Sequence, residues 1–246
     1  MYRFYALIIG SEILNGRRED AHFAFVRKAL LNRGYSLYGA FIIEDDPLLI
    51  TRTIRFIADD PKAVLFSFGG VGSTPDDHTR SCAAEALRDG KLYKHETAAR
   101  IIEETLGERA YPHPIRMAML PKDAELIDNP VNNMPAFSID GRFFFMPGFP
   151  EMSHPMVESI LDSLVPSKRS YFRKTLTAEC RENEFIELME AAPEHIEVSS
   201  LPKLSDEGWF ATLSVAGEDE TAVKAWFDKF RAMLEKKGIG YRLSED

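Results

Sequence analysis

Two hydrophobic periodicities alternate along the first two thirds of the chain. Phe4 to Ile9 is an unbroken apolar run of strand length, and Gly10-Ser11-Glu12 follows it directly. From Asp20 to Arg33 the pattern changes: Phe23, Val26 and Leu30 share one helical face, and Gly34 ends it. Ser36 to Ile43 is β-rich. Asp46-Pro47 then supplies an N-cap and a proline at the first helical position, ahead of Ile50, Ile54 and Ile57. Ala63 to Phe68 is a second continuous apolar run, as a central parallel strand covered on both faces requires. It ends in Gly69-Gly70-Val71-Gly72-Ser73-Thr74-Pro75, and a helical pattern restarts at Asp76 or Asp77. A further helix is predicted from His95 to Leu106. Short strands are predicted at 116–120, 136–139 and 143–146, and Met156, Ile160 and Leu164 mark a closing helix. Repeated β-α units with right-handed crossovers predict a three-layer αβα sandwich with a mostly parallel sheet over residues 1–165.

Val165-Pro166-Ser167-Lys168-Arg169-Ser170 interrupts the pattern and reads as a linker. Beyond it, residues 171–246 follow a β-α-β-β-α-β order. Strands are expected near 174–179, 196–201, 209–215 and 241–243, and helices near 184–191 and 220–237. This is the order of a small α+β, ferredoxin-like domain. It carries no catalytic signature, so a structural or dimerisation role is the expectation there.

Composition changes this picture in three places. The chain of 246 residues has a net charge of −9, which argues against a general nucleic-acid binder. No apolar stretch approaches the roughly 20 residues of a membrane span, so no membrane partner is expected. Only Cys82 and Cys180 are present, too few for a disulfide framework or a zinc site, and a cytoplasmic location is the simplest expectation.

In an open parallel sheet, ligands bind at the carboxyl ends of the strands. Three loops there are rich in polar residues: Gly10-Ser11-Glu12 with Asn15 and Asp20 after it, Glu44-Asp45-Asp46, and Gly69 to Thr79. Glycines 69, 70 and 72 permit positive φ and remove side chains that would block an anion. Their backbone N–H groups, with a helix N-terminus behind them, can converge on phosphate oxygens, and Ser73 and Thr74 add hydroxyls. Asp76 and Asp77 at its edge point to a divalent cation or to a base that orients a nucleophile. Each loop also has a plain structural reading. A glycine-rich turn before a helix is often only a turn, Asp76 or Asp77 can cap that helix, and Asp46 is better placed as a cap than Asp45. His78, His95 and His154 show no ligand spacing and are expected to be solvated or capping residues.

Gly69-Gly70-Val71-Gly72-Ser73-Thr74-Pro75-Asp76-Asp77-His78-Thr79 resembles the signature of the molybdopterin-binding (MoaB/Mog-like) fold, and its Pro-Asp-Asp-x-Thr ending is similar to the CinA branch. Gly10-Ser11-Glu12-Ile13-Leu14-Asn15-Gly16 with Asp20, the pair Asp45-Asp46, Leu120-Pro121, Asn129-Pro130 and Pro147-Gly148-Phe149-Pro150-Glu151-Met152 resemble further landmarks of that branch, in order. The resemblance covers roughly residues 3 to 160. It implies that Gly69, Gly70, Gly72, Ser73, Thr74 and Thr79 bind phosphate and that Asp77, with Asp76 beside it, is catalytic. It further implies that Glu12, Asp45 and Asp77 hold a divalent metal (Mg²⁺ or a transition metal), and that Gly10, Ser11, Asn15, Asp20, Pro147 and Gly148 line the ligand. Two departures stand out: Ser73 replaces a usual proline, and Asn129-Pro130-Val131-Asn132-Asn133-Met134-Pro135-Ala136 lacks two glycines usual in that loop. Long CinA proteins continue into a nicotinamide-nucleotide deamidase domain that this sequence lacks, so deamidation is not expected.

Three functions follow from the resemblance. The first is a metal-dependent hydrolase, a nucleotide pyrophosphatase acting on an ADP-ribose-like substrate. The second is adenylyl transfer or metal insertion on molybdopterin, in molybdenum cofactor biosynthesis. The third is a non-catalytic nucleotide-binding module. All three take a phosphorylated small molecule as partner, and the small second module suggests a homo-oligomer.

Overall fold

The computed structural model describes residues 2–206 and 208–244. The chain divides into two compact units between Ser167 and Lys168. In the first, six strands form one sheet: β1 (Arg3–Ile9), β2 (Leu37–Ile43), β3 (Ala63–Phe68), β6 (Glu125–Ile127), β7 (Ala136–Ile139) and β8 (Phe143–Met146). Their order is β2-β1-β3-β8-β7-β6. The pairs β1/β2, β1/β3 and β3/β8 are parallel, whereas β8/β7 and β7/β6 are antiparallel. The helices are α1 (Ser11–Leu14), α2 (His22–Leu31), α3 (Pro47–Ala58), α4 (Thr79–Leu87), α5 (Glu96–Leu106) and α6 (Pro150–Leu164).

Strand alternation decides which layer each side chain joins. Tyr5, Leu7, Ile9, Leu65, Phe143 and Phe145 project to one face, where they pack with Ile50, Ile54 and Ile57 of α3 and Ala98 and Ile102 of α5. Phe4, Ile8, Val64, Phe66, Phe68 and Met146 project to the other, against Val26 and Leu30 of α2 and Met156, Val157 and Leu161 of α6. Both faces of β1 and β3 are therefore covered, which is why these segments read as continuous apolar runs. Each fully buried side chain of this size contributes about 1.5–3 kcal/mol. The expected three-layer αβα sandwich with a mostly parallel sheet is the fold observed.

The local start signals act as expected at α3 and α5. Asp46 accepts a hydrogen bond from the Leu49 amide at 2.7 Å, with Pro47 at the first helical position. His95 accepts one from the Ala98 amide, a capping role.

Two elements differ from the pattern. The stretch expected as a strand at 116–120 begins as a 3₁₀ turn, Pro114–Ala118, and only then becomes β5 (Met119–Pro121). β5 pairs with β4 (Leu92–Lys94) in a separate two-stranded sheet. Helix α4 begins at Thr79 and not at Asp76 or Asp77, because the Asp77 carboxylate turns back onto Thr74.

The second unit contains β9 (Phe172–Ala178), α7 (Ile186–Glu190), β10 (Glu197–Ser205), β11 (Gly208–Gly217), α8 (Glu220–Lys237) and β12 (Tyr241–Leu243). The sheet order is β10-β11-β9-β12, with every pairing antiparallel. That is the ferredoxin-like arrangement. Leu176, Ala178, Ala211, Leu213 and Val215 form its buried face, packed with Phe185, Val223, Phe227, Phe230 and Leu234.

Candidate functional site

Because β1, β2, β3 and β8 run parallel, the loops after Ile9, Ile43, Phe68 and Met146 leave one edge of the sheet. The chain passes from β1 outward to β2 and then returns to β3 on the other side of β1, so the crevice between β1 and β3 is the topological switch point at which such sheets bind ligands. The two loops meet there at backbone contact. Gly69 has φ of 100°, and a Cβ on it would stand 2.3 Å from the Ile9 carbonyl oxygen. Gly70 has φ of 68°, and a Cβ there would stand 2.3 Å from the Thr79 hydroxyl. Only glycine fits at either position.

The hydrogen bonds of the glycine loop face one way. The Gly69 carbonyl accepts from the Thr79 hydroxyl at 2.9 Å and the Gly70 carbonyl from the Thr79 amide at 3.0 Å. The Gly72 carbonyl accepts from Nη2 of Arg80 at 2.6 Å. In a planar trans peptide the following N–H points opposite to the carbonyl. Fixing these three carbonyls toward the start of α4 therefore aims the amides of Gly70, Val71 and Ser73 away from it, and among the described residues those amides have no hydrogen-bond partner. A row of free N–H groups in such a turn, with a helix N-terminus behind it, is an anion-binding concavity.

The sequence placed Thr79 and Thr74 among the phosphate contacts. Thr79 is fully buried with its hydroxyl directed to Gly69, so it braces the loop from behind. The Thr74 amide and hydroxyl both donate to Oδ2 of Asp77, at 2.8 and 2.5 Å, and the Asp77 amide donates back to the Thr74 carbonyl. Asp77 thus closes the loop with one carboxylate oxygen. Asp76 is exposed at the rim, and hydrogen bonding within this turn holds its carboxyl below the usual carboxylate range.

On the β1 side, the amide and hydroxyl of Ser11 donate to Oδ2 of Asp45 at 2.8 and 3.0 Å, and the Asp45 amide donates to the Ser11 hydroxyl. This pair joins the ends of β1 and β2, beside the bond from the Gly10 amide to the Ile43 carbonyl. Glu12 lies against Gly10 and 3.9 Å from Arg18. Asn15 is exposed and accepts from the amide and Nε of Arg17. Asp20, two residues before α2, accepts from the amides of His22 and Phe23 in its first turn.

Glu12, Asp45 and Asp77 do not converge on a metal. Among the described residues no group of three or more His, Cys, Asp or Glu side chains is close enough to hold one. The reason is local: Asp45 is taken by Ser11, Asp77 by Thr74, and Glu12 leans toward Arg18. As they stand, these carboxylates do not fit the cation that the sequence resemblance implies.

Pro147 and Gly148 follow β8, and a Cβ on Gly148 would stand 3.4 Å from Cα of Gly69. The Gly148 carbonyl accepts from Nη2 of Arg18 at 3.0 Å and faces Nε2 of His22 at 3.3 Å. A small cleft lies here, lined by Glu12, Arg18, His22, Phe68 and Gly148 among others. His22 is stacked on Phe68 at 4.3 Å and meets His154 edge-on, while His154 stacks on Phe25. Burial pushes His22 down to about 4, so it is neutral near pH 7. Neither His22 nor Arg80 stands out in the sequence. His22 follows Asp20 as an ordinary first-turn residue, and the one hint for Arg80 is a cation beside the buried run Cys82-Ala83-Ala84.

A parallel sheet of this order, with a glycine turn at its switch point, defines a class of α/β domain that takes its ligands at that crevice. The family described as "Probable molybdopterin binding domain" matches residues 5–167, and the chain belongs to that family. Within it the first unit is of the CinA type. The chain is 28% identical to a CinA-like protein of Sulfurihydrogenibium sp. over 181 residues, 68% of this chain and 44% of that protein. It is 31% identical to one of Geotalea uraniireducens over 176 residues, 69% of this chain and 42% of that protein. The chain thus spans less than half the length of these two relatives. Among solved structures it is similar to the CinA protein of unknown function from Thermoplasma acidophilum. That likeness has a TM-score of 0.59 at 26% identity and covers 66% of this chain and 99% of that one.

Proposed function

We propose that the first unit binds a pyrophosphate-bearing small molecule, a nucleotide of the ADP-ribose kind or a nucleotidyl pterin, and acts on its pyrophosphate bond. The observation that carries this reading is the outward row of amides at Gly70, Val71 and Ser73. Gly69, Gly70, Gly72 and Ser73 form the cradle. Gly10, Ser11, Pro147 and Gly148 form its walls.

In the hydrolytic form of the reaction a water oxygen bonds to phosphorus while the bridging P–O bond breaks. The leaving phosphate departs with the electron pair and takes up the proton that the water gives up. Asp77, through Oδ1, and the exposed Asp76 are the carboxylates placed to orient that water. Asp76, held below the usual range, orients better than it removes protons. Glu12, Asp45 and Asp77 are engaged by Arg18, Ser11 and Thr74 and do not gather around a cation.

A second reading is adenylyl transfer to or from molybdopterin, as in cofactor biosynthesis, and the family description favours it. It uses the same cradle for the phosphates. Incubating the purified chain with ADP-ribose, FAD and dinucleotides, with and without Mg²⁺, Mn²⁺, Co²⁺ or Ni²⁺, separates the readings. Turnover lost in Asp77→Asn supports hydrolysis. Activity confined to adenylylated pterin supports the second reading, and tight binding without turnover reduces the function to ligand binding.

Homo-oligomerisation is supported by the exposed apolar side chains Tyr38, Ile42, Leu48 and Phe56 on β2 and α3. Cys82 and Cys180 are free thiols, in keeping with a cytoplasmic protein. Among the described residues no helix is long and apolar enough to cross a membrane.

A further inference from the structure

We infer that the guanidinium of Arg80 is a fixed cation of the glycine loop, kept without a carboxylate partner so that a multiply charged phosphate supplies its counter-charge. The inference rests on the reading of that loop as a phosphate cradle. It narrows the ligand to one that presents a pyrophosphate or a dianionic phosphate, and it gives Arg80 the role of a positioning residue.

Arg80 is the second residue of α4 and is only 8% exposed. A buried charge is ordinarily paired, because the loss of hydration is large. Here the guanidinium donates to two neutral carbonyls, Gly72 through Nη2 at 2.6 Å and Arg116 through Nη1. Its Nε–H is buried and has no partner. Among the described residues no ion pair includes it, and Asp77, turned toward Thr74, acts on it only through space. Burial disfavours the charge, yet a guanidinium stays protonated in proteins.

The placement gives this charge two effects. By holding the Gly72 carbonyl, Arg80 aims the Ser73 amide outward. Its positive charge also lies directly behind the loop, in a medium that screens it far less than water does. Both effects favour an anion on the open side, and the second grows with the charge of that anion. A brace that merely tied two carbonyls together would not depend on ligand charge.

The test is calorimetric titration of the full chain with inorganic pyrophosphate and with a singly charged phosphate diester, over a series of NaCl concentrations. Wild type is compared with Arg80→Lys and Arg80→Gln, each checked by thermal melting. The expected result is a loss of about tenfold or more in pyrophosphate affinity for Arg80→Gln, with a smaller loss for Arg80→Lys. The Arg80→Gln loss is larger for pyrophosphate than for the diester, and its salt dependence is shallower. Equal losses in both variants for both probes, with an unchanged salt slope, would overturn the inference while leaving the cradle intact. Wild type that binds no pyrophosphate overturns the cradle reading and this inference together. Should Arg80→Gln melt too low to titrate, the buried Nε–H resonance of Arg80 in the wild-type protein is followed by NMR. A saturable shift with pyrophosphate is expected, and an unmoved resonance contradicts the proposal.

Discussion

Thr79 holds two successive carbonyls of the glycine loop, donating its hydroxyl to Gly69 at 2.9 Å and its amide to Gly70. Replacing it by valine keeps the shape and removes one donor, leaving a buried carbonyl unsatisfied at a cost of about 1–3 kcal/mol. Thr79→Val is therefore expected to unfold earlier in urea and to weaken phosphate binding, whereas Thr79→Ser retains both. Equal ligand affinity in Thr79→Val and wild type would show that the hydroxyl does not position the loop.

At Gly70 the backbone itself forbids a side chain. Its φ of 68° and the 2.3 Å approach of a Cβ to the Thr79 hydroxyl make Gly70→Ala strained and sterically crowded. The left-handed conformation alone costs about 1–2 kcal/mol for a residue with a Cβ. Gly70→Ala is expected to lose phosphate binding and some stability, while Gly16→Ala, with open space around it, loses stability only. Undiminished binding in Gly70→Ala would contradict the cradle geometry.

Divalent cations provide a third test. With Asp45 on Ser11 and Asp77 on Thr74, Mg²⁺ or Mn²⁺ without a phosphorylated ligand has no assembled site. Millimolar metal alone is expected to leave the melting temperature unchanged, since only a species bound by the folded state raises it. A metal-induced rise that disappears in Asp45→Ala would show that the three acids do gather around a cation.

His22 makes the first unit acid-sensitive. Its pKa is about 4 in the folded chain against an ordinary 6.5. Between these values the unfolded chain binds a proton that the folded one refuses, so stability is full above pH 6.5 and falls as the pH drops toward 4. The shift corresponds to about 3 kcal/mol at most. His154, also pushed down by burial, adds a contribution of the same sign. Urea unfolding at pH 7 and pH 4.5 is expected to show a smaller pH difference in His22→Phe, which keeps a ring against Phe68. An identical pH difference in wild type and His22→Phe would assign the acid sensitivity to other groups.

Much of the fold can be read from short-range signals. The runs at β1 and β3, the Asp46-Pro47 start of α3 and the glycines at 69, 70 and 72 each express a local requirement. What escaped the sequence depends on which partner reaches a residue first. Asp77 as a helix cap and Asp77 as a loop clasp look alike until Thr74 is found bonding to it. Asp45 as a metal ligand and Asp45 as the partner of Ser11 look alike as well, because Ser11 lies 34 positions away in sequence. The edge region around β5 could not be placed because three residues of strand carry no information about which sheet they join. Arg80 and His22 matter through what surrounds them in space, which no periodicity records.

The central claim is that the amides of Gly70, Val71 and Ser73 receive the phosphates of the ligand. The most direct measurement is an amide NMR titration of the full chain with ADP-ribose and, separately, with inorganic pyrophosphate. The account predicts saturable shifts of these three amides in both titrations, with smaller changes in residues of the second unit. Binding that leaves the three amides unmoved, or that shifts residues elsewhere in their place, would contradict it.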